Sequence, residues 1–148
     1  MRSLVLSTRL PIGVAAAVIG LIVALLSLQL GAGTATGHGS AVLHACWLTA
    51  KVEANWSGGV LEVSYVLQPP DPCHTVTGVS LSYDRETRSL VLSVEGESPP
   101  RGTYCVQVLP PPVTGHGTVH DADGVARVVL VLRDRAAGRT CRAEARLG

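Results

Sequence analysis

Between Pro72-Cys73-His74 and Tyr104-Cys105-Val106-Gln107-Val108, two cysteines each open a β-branched run, and two further runs of alternating polarity lie between them. Alternation with a period of two suits a strand with one buried face, because successive side chains point to opposite sides of a sheet. β-branched residues reinforce that choice: they lose rotamers in a helix and pack well on a pleated surface. The segment reads as the middle of a small all-β domain, cross-linked by disulfides and held outside the cytoplasm.

The flanking chain repeats the pattern. Cys46 to Ala54 sets Leu48, Ala50, Val52 and Ala54 on one face, and Val60 to Leu67 turns Leu61, Val63, Tyr65 and Leu67 inward. Asn55 to Gly59 reads as the turn of an opening hairpin. Gln68-Pro69-Pro70-Asp71-Pro72 cannot extend a ladder, because proline lacks the N–H, so the chain crosses over there. Val76 to Tyr83 and Ser89 to Glu95 form a second hairpin around Asp84-Arg85-Glu86-Thr87, with Leu81, Leu90, Leu92 and Val94 among its inward residues. Tyr104 to Leu109 is expected as the next strand and Pro110-Pro111-Pro112 as a second crossover. Gly115 and Gly117 punctuate Val113 to His120, and Asp121-Ala122-Asp123-Gly124 is expected to join it to Val125 to Leu132 as a tight hairpin loop, Asp-Gly supplying the positive φ. Thr140 to Leu147 reads as a closing strand with Cys141, Ala143, Ala145 and Leu147 inward, or as a short helix built on its alanines. Roughly seven or eight short strands with regularly spaced turns predict an immunoglobulin-like antiparallel β-sandwich.

Ahead of this body, Ile12 to Leu30 carries no charge, and only Ser27 and Gln29 are polar besides its glycines. Such a run matches the roughly 20 apolar residues that span a bilayer. Arg2 and Arg9 precede it and no basic residue follows until Lys51, which orients the N-terminus inward and the rest outward. Its length exceeds the roughly 7–15 apolar residues of a cleaved signal peptide, favouring an uncleaved anchor. Gly31 to Gly37 offers a peptidase small residues for a cut after Ala35 or Gly37, and cleavage would instead secrete the body. The expected organisation is a basic segment 1–11, a hydrophobic signal-anchor or signal-peptide helix 12–30, a flexible tether 31–41 and an extracytoplasmic domain 42–148. With a formal net charge of +1, bulk attraction to nucleic acid is not expected.

Four cysteines in an exported body of this size read as two disulfides, with three connectivities open. Cys73–Cys105 would join the starts of two interior strands, and Cys46–Cys141 would tie the opening strand to the closing one. Loops of about 33 and 96 residues closed this way would contribute on the order of 4–5 kcal/mol each in the chain-entropy account. A zinc site is disfavoured because no two cysteines are closely spaced. The Pro72-Cys73-His74 opening, the alternating hairpin and Cys105-Val106-Gln107-Val108 resemble small exported microbial domains of unassigned function, in which two cysteines bracket the middle of an immunoglobulin-like sandwich. That resemblance covers about the middle third of the body and implies the Cys73–Cys105 pairing and no activity. An antibody-type domain fits less well, since Tyr104 directly precedes Cys105 and no Trp follows Cys73 at the expected interval.

Candidate chemistry is sparse. His116 and His120, near Asp121 and Asp123, are metal candidates, but their glycine neighbours oppose the helix that would align them, and solvated loop histidines are the simpler reading. His120 to Gly124 lacks the later ligands of a calcium loop. A cut after Gly37 would free His38 as an N-terminal residue resembling the copper-chelating histidine brace of polysaccharide monooxygenases, with no second brace histidine assignable. No Ser lies in a Gly-x-Ser-x-Gly elbow. Asn55-Trp56-Ser57 matches a glycosylation acceptor or a turn. Arg127, Arg133, Arg135, Arg139, Arg142 and Arg146 suggest a basic strip for phospholipid or polysaccharide, or a solvated outer sheet face. The body also resembles the chagasin family of protease inhibitors in size and in Gly115-His116-Gly117, without that family's other loop motifs.

The expectation is a non-enzymatic module without cofactor, anchored through its N-terminal helix or secreted, with no catalytic residue and its cysteines all in disulfides. It would contact an extracytoplasmic protein or polysaccharide through the proline-bounded loops Gln68 to Pro72 and Pro110 to Gly117, since rigid loops lose little entropy on binding. Copper or another metal at His38, His116 or His120 is the alternative, and a protease inhibitor or a structural envelope component are further readings. If the helix is an uncleaved anchor, mass spectrometry of the native protein will recover a first residue upstream of the apolar run; a start at Thr36 or His38 contradicts it.

Overall fold

The computed structural model describes residues 35–148, so the basic segment, the hydrophobic helix and the first four residues of the tether lie outside the described residues. Eight strands follow one another: β1 (Gly37–Ala45), β2 (Leu48–Ser57), β3 (Val60–Gln68), β4 (Thr75–Asp84), β5 (Ser89–Glu97), β6 (Val113–His120), β7 (Arg127–Asp134) and β8 (Arg139–Arg146). They form two four-stranded sheets, β1-β2-β3-β6 and β4-β5-β7-β8, whose inner faces share one apolar core. The all-β, two-sheet expectation holds, with one departure: β5 and β7 run parallel, so the sandwich is not wholly antiparallel.

Period-two alternation decides what is buried. Leu48, Ala50, Val52 and Ala54 of β2 and Leu61, Val63 and Leu67 of β3 face Leu90, Leu92 and Val94 of β5 and Val128, Leu130 and Leu132 of β7. On β1 the inward residues are small, Gly39, Ala41 and Ala45 with Leu43, and at Gly39 a Cβ would stand 2.7 Å from Leu147 Cβ. That close approach brings the edge of one sheet to the edge of the other. Ser40 N–H donates to Gly148 O at 3.1 Å and Gly148 N–H to Ser40 O at 3.3 Å, stitching β1 to the end of the chain.

Three expectations change. The tether is shorter than expected, because Gly37 to Ala45 already pairs with Leu48 to Trp56 as β1. The turn after β2 narrows to Gly58-Gly59, both at positive φ, with Ser57 paired to Val60. Asp121 to Ala126 does not close a hairpin; it carries the chain from β6 in one sheet to β7 in the other. Ala122 N–H donating to Gly59 O at 3.0 Å, Tyr83 O–H to Gly124 O at 2.6 Å and Ala126 N–H to Arg88 O at 2.9 Å hold that crossing. The C-terminal segment is the closing strand that its spacing indicates.

Glycines 115 and 117, which argue against a regular strand, are accommodated by what covers them. A Cβ at position 115 would collide with the Tyr65 ring, and one at 117 would meet Leu81 Cδ2 at 3.0 Å. β6 is therefore a strand whose missing side chains are replaced by a neighbouring aromatic and leucine, a known device for glycine in sheets.

The core predicts a sharp contrast between two positions. Leu130→Ala, at a fully buried site on β7, should lower unfolding free energy by about 2–5 kcal/mol in urea titrations, whereas Val42→Thr on the exposed face of β1 should stay within about 0.5 kcal/mol of the parent.

Candidate functional site

Both disulfides lie at one end of the sandwich. Cys46, at positive φ in the β1–β2 turn, is bonded to Cys141 on β8, and Cys73, in the β3–β4 crossover, to Cys105 in the β5–β6 connection. Two disulfides accord with an oxidising, extracytoplasmic environment. The pairing of Leu67 with Val113, Thr75 with Glu97 and Asp134 with Arg139 places the ends of six strands here. Gly37 pairs with Trp56, and Val60 with His120, at the opposite end.

A buried carboxylate organises the disulfide end. Asp134 is fully buried, and its oxygens accept from Trp47 Nε1–H at 3.0 Å, Ser98 N–H at 3.2 Å and Ala137 N–H at 3.1 Å, with Arg139 Nε 3.8 Å away. Burial alone would raise its pKa, but hydrogen bonds from Ser98, Ala137 and Trp47 outweigh it and lower the carboxyl to about 2. Trp47 lies over Gly96, where a Cβ would stand 2.9 Å from the indole, and its ring centroid is 5.0 Å from that of His74. His74 Nδ1 in turn sits 2.8 Å from Asp71 Oδ1. Asp71 also accepts from Cys73 N–H at 2.9 Å and His74 N–H at 3.2 Å; the His74 hydrogen bond, ahead of an opposing burial effect, holds its carboxyl below the usual range.

Above this support runs the β5–β6 connection. Tyr104 to Leu109, expected as a strand, pairs with nothing: the edge of β3 is taken by β6, and Pro110-Pro111-Pro112 cannot donate to a ladder. Tyr104 is 91% exposed, Leu109 70%, Val106 59% and Val108 57%, which makes one segment carry four of the six large apolar side chains exposed among the described residues. Soluble domains seldom expose such a cluster without a use for it. Cys105 anchors the segment, and Gln68 Nε2 donates to Pro110 O at 3.0 Å at its far end. The connection, 15 residues between Glu97 and Val113, is longer than most within compact domains.

The proline-bounded loops play different parts from those expected. Gln68 to Pro72 is largely structural, with Pro69 and Asp71 buried, and Gly115-His116-Gly117 lies inside β6 rather than in a loop, removing the feature that resembled chagasin. His116 and His120 share the outer face of β6 four residues apart, a separation of about 13 Å along a strand, too far for one metal ion. His38 lies on β1, opposite Asn55, three strands across the sheet from β6, or about 14 Å, so His116 cannot complete a brace with it. Asn55-Trp56-Ser57 is strand rather than turn, with Asn55 exposed.

Five of the six C-terminal arginines share three carboxylates: Arg127 and Arg142 pair with Glu144, Arg133 and Arg135 with Glu95, and Arg139 with Asp134, which offsets half of the positive charge of a solvated sheet face. A cleft on the outer face of the second sheet is lined by Gly78, Ser80, Ser93, Glu95 and Arg133, and Glu95 is already committed to those ion pairs. Comparison with family models, curated proteins and solved structures returned no match.

Because the carboxyl of Asp134 is lowered on folding, the unfolded chain takes up its proton first as pH falls. The stabilisation is full above about pH 4 and drains away toward about pH 2. A lowering from 3.8 to about 2 amounts to on the order of 2 kcal/mol. Asp134→Asn should therefore be clearly less stable than the parent at neutral pH, and the gap should narrow by about that amount at pH near 2; an unchanged gap in denaturant titrations refutes the assignment.

Proposed function

We propose that this protein is an extracytoplasmic interaction module without catalytic activity, and that it binds a partner protein through the segment Tyr104 to Leu109. The observation that carries this reading is the exposed row Tyr104, Val106, Val108 and Leu109, held at one end by a disulfide and followed by three prolines. Tyrosine and aliphatic side chains in a pre-anchored loop give apolar contact at low entropic cost. An apolar surface favours protein over polysaccharide as the partner class, since sugar recognition asks for convergent polar groups.

Membrane attachment belongs to the same proposal. A hydrophobic helix at 12–30 would enter the domain through β1, whose first residue Gly37 lies at the end remote from the disulfides. A nine-residue strand spans about 30 Å, which is the distance that separates Gly37 from the disulfide end of the domain. The immunoglobulin-like assignment is also part of this reading: two four-stranded sheets and an early crossover support it, and the parallel β5–β7 pair is its departure.

Site-specific photo-crosslinking in the producing cell tests the contact. A photoreactive residue at Tyr104 or Val106 should give a discrete protein adduct that Leu109→Ser with Val108→Ser abolishes, and the same probe at Val42 should give none. Adducts absent from both loop positions, or equal at Val42, overturn the assignment.

A further inference from the structure

Asp71, Cys73 and Cys105 each present a ligand-type atom within 4.8 Å of the other two, and His74 Nδ1 is 2.8 Å from the Asp71 carboxylate. This is the densest set of metal-ligating groups among the described residues, and as long as Cys73 and Cys105 are bonded to one another their sulfurs are spent. We propose that reduction of the Cys73–Cys105 disulfide converts this cluster into a zinc site, with Cys73, Cys105 and Asp71 as ligands and the neighbouring His74, whose ring lies outside that cluster, turning in to complete the set. The proposal does not rest on the contact reading above, although opening the bridge would release the anchor of the Tyr104 to Leu109 segment.

Three features support it. The donor chemistry is two thiolates with a carboxylate and an imidazole, a four-ligand S/N/O set of the kind zinc takes tetrahedrally. Three of the four donors come from one tight turn, Asp71-Pro72-Cys73-His74, in which the Asp71 carboxylate is already fixed by the amides of Cys73 and His74. The fourth, Cys105, sits in the unpaired β5–β6 connection, which is free to let the sulfurs separate to positions about 2.3 Å from a shared ion. Neither cysteine belongs to a strand, so the ladders would persist when this bridge opens.

Electrostatics points the same way. Once zinc displaces the thiol protons, the two thiolates and the Asp71 carboxylate bring three negative charges into a partly enclosed space, which the divalent cation offsets. The redox balance is simple: a dithiol reductant gives up two electrons and becomes a disulfide, the Cys73–Cys105 bond breaks, two protons go to its sulfurs, and zinc displaces those protons on binding.

Zinc titration of the full chain under anaerobic phosphine reduction, followed by metal analysis and circular dichroism, tests the site. One equivalent should bind to the reduced parent and to the Cys46→Ser, Cys141→Ser variant, none at the same affinity to the Cys73→Ser, Cys105→Ser variant, and Asp71→Asn should weaken binding by roughly tenfold or more. Stoichiometric binding that survives in Cys73→Ser, Cys105→Ser, no binding to the reduced parent, or loss of the strand signal on reduction in the presence of zinc would each overturn the proposal.

Discussion

Asp134 is a carboxylate withdrawn from solvent at the end of β7, and three donors from three separate parts of the chain converge on it. Trp47 comes from the β1–β2 turn, Ser98 from the exit of β5 and Ala137 from the β7–β8 turn. A buried charge is tolerated only when its hydrogen-bonding capacity is met, so these segments must converge for the charge to be buried at all. The same convergence seats the Trp47 indole on Gly96 and beside His74, and it lies within a residue of Cys46. One polar interaction thereby couples the two sheets and the neighbourhoods of both disulfides.

The apolar frame and this polar end do different jobs. Leucine-rich β5 and β7 fill the space that alanine-rich β1 and β2 leave, so a chain without phenylalanine still forms an apolar core. Non-directional packing of that kind brings the sheets together but does not by itself choose how their ends join. The directional bonds at Asp134 and Asp71 make that choice. They also leave the β5–β6 connection supported from below and unpaired above, which is why it can present Tyr104 to Leu109 to solvent.

Much of the fold was legible because alternation with large residues is unambiguous. Leu48 to Ala54, Leu61 to Leu67 and Leu90 to Val94 all face the core as their spacing indicates. β1 was missed for a physical reason: its inward residues Gly39, Ala41 and Ala45 are small, so its period-two pattern resembles a tether, although Leu43 between them carried the signal. Tyr104 to Leu109 misled in the opposite direction. Its β-branched composition fits a strand, but a strand needs a partner edge, and edge availability is set by the path of β6, which no local pattern encodes. The parallel β5–β7 pair is equally non-local. Of the site, the apolar loop residues and the four cysteines were visible, whereas the roles of Asp71 and Asp134 were not, since an isolated aspartate in a turn or at a strand end looks the same whether solvated or buried.

Hydrogen exchange at the Trp47 indole N–H tests most directly whether Asp134 ties the two sheets together. The account predicts that this proton exchanges only through global unfolding, with the same opening free energy as the amides of Leu130 and Leu132 in β7. A Trp47 indole that exchanges orders of magnitude faster, while those β7 amides stay protected, would contradict it.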